Sequence, residues 1–135
     1  MSLFVPDFSR VKILVVGDLM LDQYWFGPTS RISPEAPVPV VSVQRDEARA
    51  GGAANVAMNL VGLGVNTACS GVVGSDANGT ELRNLLESAG VQASLLESAN
   101  HPTISKLRIL SRNQQLIRLD TEEIYDPADS VALTQ

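Results

Sequence analysis

The period of the apolar positions changes several times along the chain, and each change marks an element. Val11 to Val16 is a short apolar run stopped by Gly17-Asp18, the pattern of a buried strand. Residues 22 to 49 read differently, with Tyr24-Trp25-Phe26-Gly27-Pro28 followed by Ser33-Pro34-Glu35-Ala36-Pro37-Val38-Pro39-Val40-Val41-Ser42-Val43. Prolines at 28, 34, 37 and 39 exclude a helix. They also confine the strands here to a sheet edge or a separate small sheet, because proline donates nothing to a ladder. A helix is predicted from near Gly52 to about Leu63, stopped by Gly64, and Thr67 to Val73 gives a second apolar strand ending in Gly74-Ser75-Asp76. From Gly79 to Ala89, Leu82, Leu85, Leu86 and Ala89 recur at helical spacing, while Glu81, Arg83, Asn84 and Glu87 face water and Gly90 supplies the stop. Val91 to Leu96 is the third strand. Strand, helix, strand, helix, strand with short connections predicts an α/β fold with a parallel sheet and right-handed crossovers.

Beyond His101-Pro102 the period shortens to two. Lys106-Leu107-Arg108-Ile109-Leu110 and Leu116-Ile117-Arg118-Leu119-Asp120 flank the polar stretch 111 to 115, which predicts a hairpin with its turn near Arg112. Alternation puts Lys106 and Arg108 on one face and Leu107 and Ile109 on the other. His101 beside a proline reads as a loop residue, and Asp126-Pro127 as the cap of a helix in the acidic tail.

A length of 135 residues suits one ordinary domain or a piece of a larger one. The net charge of -5 argues against a nucleic-acid partner. The single cysteine, Cys69, lies in an apolar run, so it reads as core, no internal disulfide forms, and a reducing compartment is expected. Neither a signal peptide nor a membrane span is read near the N-terminus, which has no basic flank before a long apolar stretch. A soluble cytoplasmic protein without a membrane partner is the expectation.

The candidate chemistry starts at Ala50-Gly51-Gly52-Ala53-Ala54-Asn55-Val56-Ala57-Met58-Asn59. Glycines let a backbone approach a ligand closely, and the first N–H groups of a helix have no partner within it. Asn55 falls in or near that first turn. In an open parallel sheet, ligands bind beyond the carboxyl ends of the strands, where the Gly17 to Asp22 turn, the Gly51-Gly52 helix start and Gly74-Ser75-Asp76 are all expected. Asp22, Gly51, Gly52 and Asn55 should therefore converge. A carboxylate, backbone donors and an amide suit a polyhydroxylated ligand, whose hydroxyls both donate and accept. Capping a turn is the competing role of Asp18 or Asp22, and a plain glycine turn before a core helix is the competing reading of Gly51-Gly52.

Gly-Gly-Ala-Ala-Asn-Val-Ala at 51 to 57, the Gly17-Asp18-Leu19-Met20-Leu21-Asp22 stretch, Gly74-Ser75-Asp76-Ala77-Asn78-Gly79 and the proline-rich excursion together resemble the N-terminal half of a ribokinase-like carbohydrate kinase. Residues 30 to 41 and 107 to 120 narrow the resemblance to kinases of heptose 7-phosphate that are joined to a heptose 1-phosphate adenylyltransferase and supply ADP-heptose for the lipopolysaccharide core. The resemblance implies a three-layer α/β/α core, here about 9–22, 49–102 and 121–135, with a small β-sheet lid, about 23–48 and 103–120. It puts sugar between them at Asp22, Gly51, Gly52 and Asn55, with ATP and Mg2+ as cofactors and a homodimer formed through the lid. The family's Gly-Ala-Gly-Asp signature, which carries the catalytic base, does not occur in this sequence. No residue here is therefore assigned to catalysis, to ATP or to a metal, and the C-terminal half of the kinase and the adenylyltransferase are expected to lie outside this chain.

A substrate that already carries a phosphate needs a cation at its far end. The hairpin offers Lys106, Arg108 and Arg118, and the planar fork of arginine favours Arg108 and Arg118 for bidentate contact. A solvated sheet face is the plainer role for each. Two further readings share these residues: a kinase of the same fold for another sugar, and a sugar-binding or dimerisation module without chemistry.

Overall fold

The computed structural model describes residues 6–123. Three strands, β1 (Lys12–Val16), β6 (Asn66–Gly74) and β7 (Gln92–Ser98), form a parallel sheet in the order β1-β6-β7. The intervening chain builds β2 (Leu19–Phe26), β3 (Thr29–Ile32), β4 (Pro39–Val41), β5 (Arg45–Gly51) and helix α1 (Gly52–Gly62) before β6, then helix α2 (Ala77–Ser88) before β7. The hairpin β8 (Ser105–Ser111) and β9 (Gln114–Thr121) follows. It joins a second sheet, ordered β5-β2-β8-β9, in which β2 pairs antiparallel with β5 and parallel with β8.

The proline-bearing excursion becomes the separate two-stranded β3-β4 sheet, in keeping with the missing N–H of Pro39. The hairpin turns at Arg112 and Asn113, both with positive φ (48° and 67°), the backbone twist that a two-residue connection requires. Asn tolerates that region better than most residues.

The core forms where α1, α2 and the start of β2 meet one face of the parallel sheet. Leu19, Leu21, Ala54, Ala57, Cys69, Val73, Leu82 and Leu86 are buried together there. Burial pushes the Cys69 thiol above its ordinary value, so the lone cysteine is a small apolar core residue.

Three expectations need correction. The stretch after β1 turns only at Gly17-Asp18, and β2 begins at Leu19. Leu19 and Leu21 alternate into the core, which makes the residues up to Asp22 strand rather than turn. The first strand is not buried on both faces, since Leu14 and Val16 are each 62% exposed. The reason is that the core lies against the face carrying Val15 and Cys69, while Leu14 and Val16 point the other way. The α/β architecture with a parallel sheet is as expected, and among the described residues both helices pack on the core face of that sheet. Finally, the second sheet runs from Leu19 and ends β5 at Gly51, so it reaches further toward the parallel sheet than the segments 23–48 and 103–120. The Asp126-Pro127 cap lies outside the described residues.

Candidate functional site

Period-two alternation gives the second sheet one charged face. Asp22 lies in register with Arg49 of β5 and Lys106 of β8. One pleat further on, Tyr24 lies between Glu47 and Arg108, and Arg108 faces Arg118 of β9. Register partners share a face, so this patch gathers residues from four strands, with β2 and β5 remote in sequence from the hairpin β8-β9.

At its lower end the patch meets the glycine pair. Gly51 is opposite Met20, and a Cβ on Gly51 would sit 2.5 Å from the Asp22 Oδ2 and 2.7 Å from the Met20 side chain. Only a glycine leaves the Asp22 carboxylate that place. Gly52 has φ of +56°, a conformation in which other residues are strained, and the following Ala53 N–H donates to the Asp18 carbonyl at 2.9 Å. The glycine pair thus folds the chain from β5 straight into α1 beside Asp22. The helix has no side-chain cap at Gly51.

Asp22 is bound to Arg108, whose Nη1 donates to Oδ1 at 2.6 Å. That hydrogen bond, stronger than the opposing effect of burial, raises the Arg108 pKa. The remaining expected cations are also paired. Arg118 grips Asp120 with a fork of 2.8 and 3.0 Å. Lys106 Nζ lies 3.8 Å from both the Asp120 and Glu122 carboxylates. Asn55 is exposed and engages its own helix, since Asn59 Nδ2 donates to the Asn55 carbonyl at 2.9 Å and lies 3.2 Å from Asn55 Oδ1. The structure therefore joins Asp22, Gly51 and Arg108 directly. Gly52 and Asn55 continue from them along the first turn of α1, and Lys106 and Arg118 lie in the neighbouring register positions.

A family profile described as pfkB family carbohydrate kinase matches residues 10–130. The chain belongs to the pfkB family. Among its curated relatives is the bifunctional protein HldE of Proteus mirabilis (strain HI4320), 58% identical over 123 residues, which are 91% of this chain and 26% of that protein. The chain thus spans about a quarter of the length of the relatives it matches at this level. Among solved structures, a carbohydrate kinase from Agrobacterium tumefaciens is 29% identical with a TM-score of 0.66, covering 82% of this chain and 35% of that one. A fructokinase with bound ATP from Xylella fastidiosa is 21% identical with a TM-score of 0.56, covering 82% and 33%.

Within this pfkB chain, sequence reasoning missed two residues on the charged face. Arg49 stands across β2 from Asp22 and donates to Glu47 at 2.7 Å. The bond to Glu47 raises its pKa. Tyr24 has two guanidiniums near its ring, Arg49 at 4.8 Å and Arg108 at 5.1 Å from the centroid, the geometry of a cation–π contact. The alternation of β2 marks Tyr24 as a neighbour of Asp22, so that signal was present. Arg49 carries no comparable signal, because the pairing of β2 with β5 spans the whole β3-β4 excursion.

Proposed function

We propose that this chain supplies the sugar-holding part of a kinase that transfers the γ-phosphate of ATP to the anomeric hydroxyl of D-glycero-β-D-manno-heptose 7-phosphate. The product is the 1,7-bisphosphate of ADP-heptose and lipopolysaccharide core synthesis. The observation that carries this reading is the Asp22–Arg108 pair seated on Gly51 at the start of α1. One carboxylate is available there to accept from sugar hydroxyls, and the same face carries cations suited to a phosphate already on the substrate. The similarity to the protein named HldE supports the choice of a heptose.

In this reading the four-stranded sheet is the lid, and Asp22 with the Gly51, Gly52 and Asn55 segment holds the sugar ring. Arg108, Arg118 and Lys106 read the 7-phosphate: Arg118 and Lys106 exchange carboxylate partners for phosphate oxygens, while Arg108 keeps Nη1 on Asp22 and offers its other N–H groups. ATP and Mg2+ are the proposed cofactors, and no residue of this chain is assigned to either. The base and the phosphate-binding helix are assigned to sequence outside these residues, because phosphoryl transfer depends on such positioned groups. A homodimer formed through the lid fits the other face of that sheet, where Trp25, Ile117 and Leu119 are 37 to 51% exposed. The proposed location is the cytoplasm, and no helix among the described residues is long and apolar enough to cross a membrane.

The test is a panel of acceptors with ATP and the whole protein that carries this chain. Heptose 7-phosphate should be turned over fastest, with ribose, fructose and nucleosides poor acceptors. A neutral sugar preferred over heptose 7-phosphate would instead support a pfkB kinase of another specificity.

A further inference from the structure

The Gly74-Ser75-Asp76-Ala77-Asn78-Gly79 segment has no part in the site described above, yet it is tied to the two strands that carry Asp22 and Arg108. Asp76 caps α2, accepting from the Gly79 N–H at 2.8 Å. Its two oxygens also take Thr103 from both sides. Oδ2 accepts from the Thr103 N–H at 2.8 Å and Oδ1 from the Thr103 hydroxyl at 2.7 Å. The same hydroxyl accepts from the Gly74 N–H at 2.8 Å, so Thr103, wholly buried, is fixed from the far side as well. The packing has no slack, since a Cβ on Gly74 would lie 2.5 Å from the Thr103 nitrogen.

Thr103 is the approach to β8. Ile104 follows it and accepts the Leu21 N–H of β2 at 2.9 Å, and β8 begins at Ser105. On the β2 side, Gln23 Nε2 donates to Asn78 Oδ1 in the same turn at 3.4 Å. One turn of the parallel-sheet layer therefore holds the bases of β2 and β8, the strands that carry Asp22 and Arg108. We propose that this turn is the seat of the four-stranded sheet and that Asp76, acting through Thr103, is a positioning residue for the sugar site. A change of position at Thr103 is carried along β8 to Arg108, because a paired strand moves as a unit.

This inference rests on the kinase reading for its activity readout and is independent of it for its structural readout. In the whole protein, Thr103→Val and Asp76→Asn are expected to raise the KM for heptose 7-phosphate about tenfold, as the share of molecules with β8 seated for sugar binding falls to about a tenth. The KM for ATP and kcat should stay within about twofold, and Thr103→Ser should restore the sugar KM. Hydrogen exchange supplies the second measurement. Exchange should quicken at Leu21 and along β8 in Thr103→Val, while β6 and β7 keep their protection. An unchanged sugar KM in both variants, or exchange quickened equally in β6 and β7, would overturn the proposal. If no sugar is phosphorylated by the whole protein, the kinase reading falls and the exchange contrast alone decides the seat.

Discussion

Asp22 and Arg108 share a short hydrogen bond, so removing either side chain takes that partner from the other in a half-buried place. This bears on how the arginines are tested. Lysine keeps the charge and loses the planar fork, which makes Arg108→Lys and Arg118→Lys the informative changes. Each is expected to raise the KM for heptose 7-phosphate by about tenfold with little change for ATP, the loss of a fork contact of about 1.4 kcal/mol. The loss should shrink when the acceptor is an unphosphorylated heptose. Steady-state kinetics on both acceptors decide the matter, and equal losses would mean that the arginines maintain the sheet through Asp22 and Asp120 rather than read the phosphate.

Among the elements, α2 rests on Leu82 and Leu86, both wholly buried, so Leu82→Ala should cost about 2 to 5 kcal/mol of stability, measured by denaturant unfolding. The cap of the same helix gives a pH prediction. Burial alone would raise the Asp76 pKa, but hydrogen bonds from the Thr103 backbone and hydroxyl and from the Gly79 and Asn78 backbones outweigh it. The value is held below the ordinary 3.8. A depressed folded value stabilises fully above the unfolded pKa, and that contribution is lost as pH falls below 3.8 through the folded value. Thermal unfolding below that pH should fall less steeply in Asp76→Asn than in the unsubstituted protein. The helices, the parallel strands and the hairpin were legible in the sequence because each is a local apolar run or period, bounded by glycine at Gly17, Gly64, Gly74 and Gly90 and by the polar stretch 111 to 115 in the hairpin. The extent of β2 was not. Leu19 and Leu21 look like part of a loop until their burial under α1 and α2 is known, and Asp22 moves from loop to strand with them. Asp22 and Gly51, at the centre of the candidate site, could be picked out in the sequence, yet the partnership of Asp22 with Arg108 depends on parallel pairing across more than eighty residues of chain, which no local pattern reports.

At the scale of the whole molecule, the four-stranded sheet has one charged face bearing the candidate site and one face with Trp25, Ile117 and Leu119 partly open to solvent. If the second face makes a homodimer, Ile117→Glu should shift the whole protein toward monomer in analytical ultracentrifugation, and an unchanged sedimentation coefficient would remove that surface from consideration. The central claim is that Asp22, placed by Gly51 and held by Arg108, binds the sugar rather than serving only as a structural partner of Arg108. Calorimetric titration of heptose 7-phosphate into the whole protein and its Asp22→Ala variant tests this most directly. Hydrogen bonds to a charged group contribute about 1.5 to 3 kcal/mol each, so the variant should bind the sugar phosphate roughly one to two decades more weakly while its ATP affinity stays nearly the same. Intact sugar affinity alongside a lowered melting temperature would contradict the claim and leave Asp22 a structural partner of Arg108.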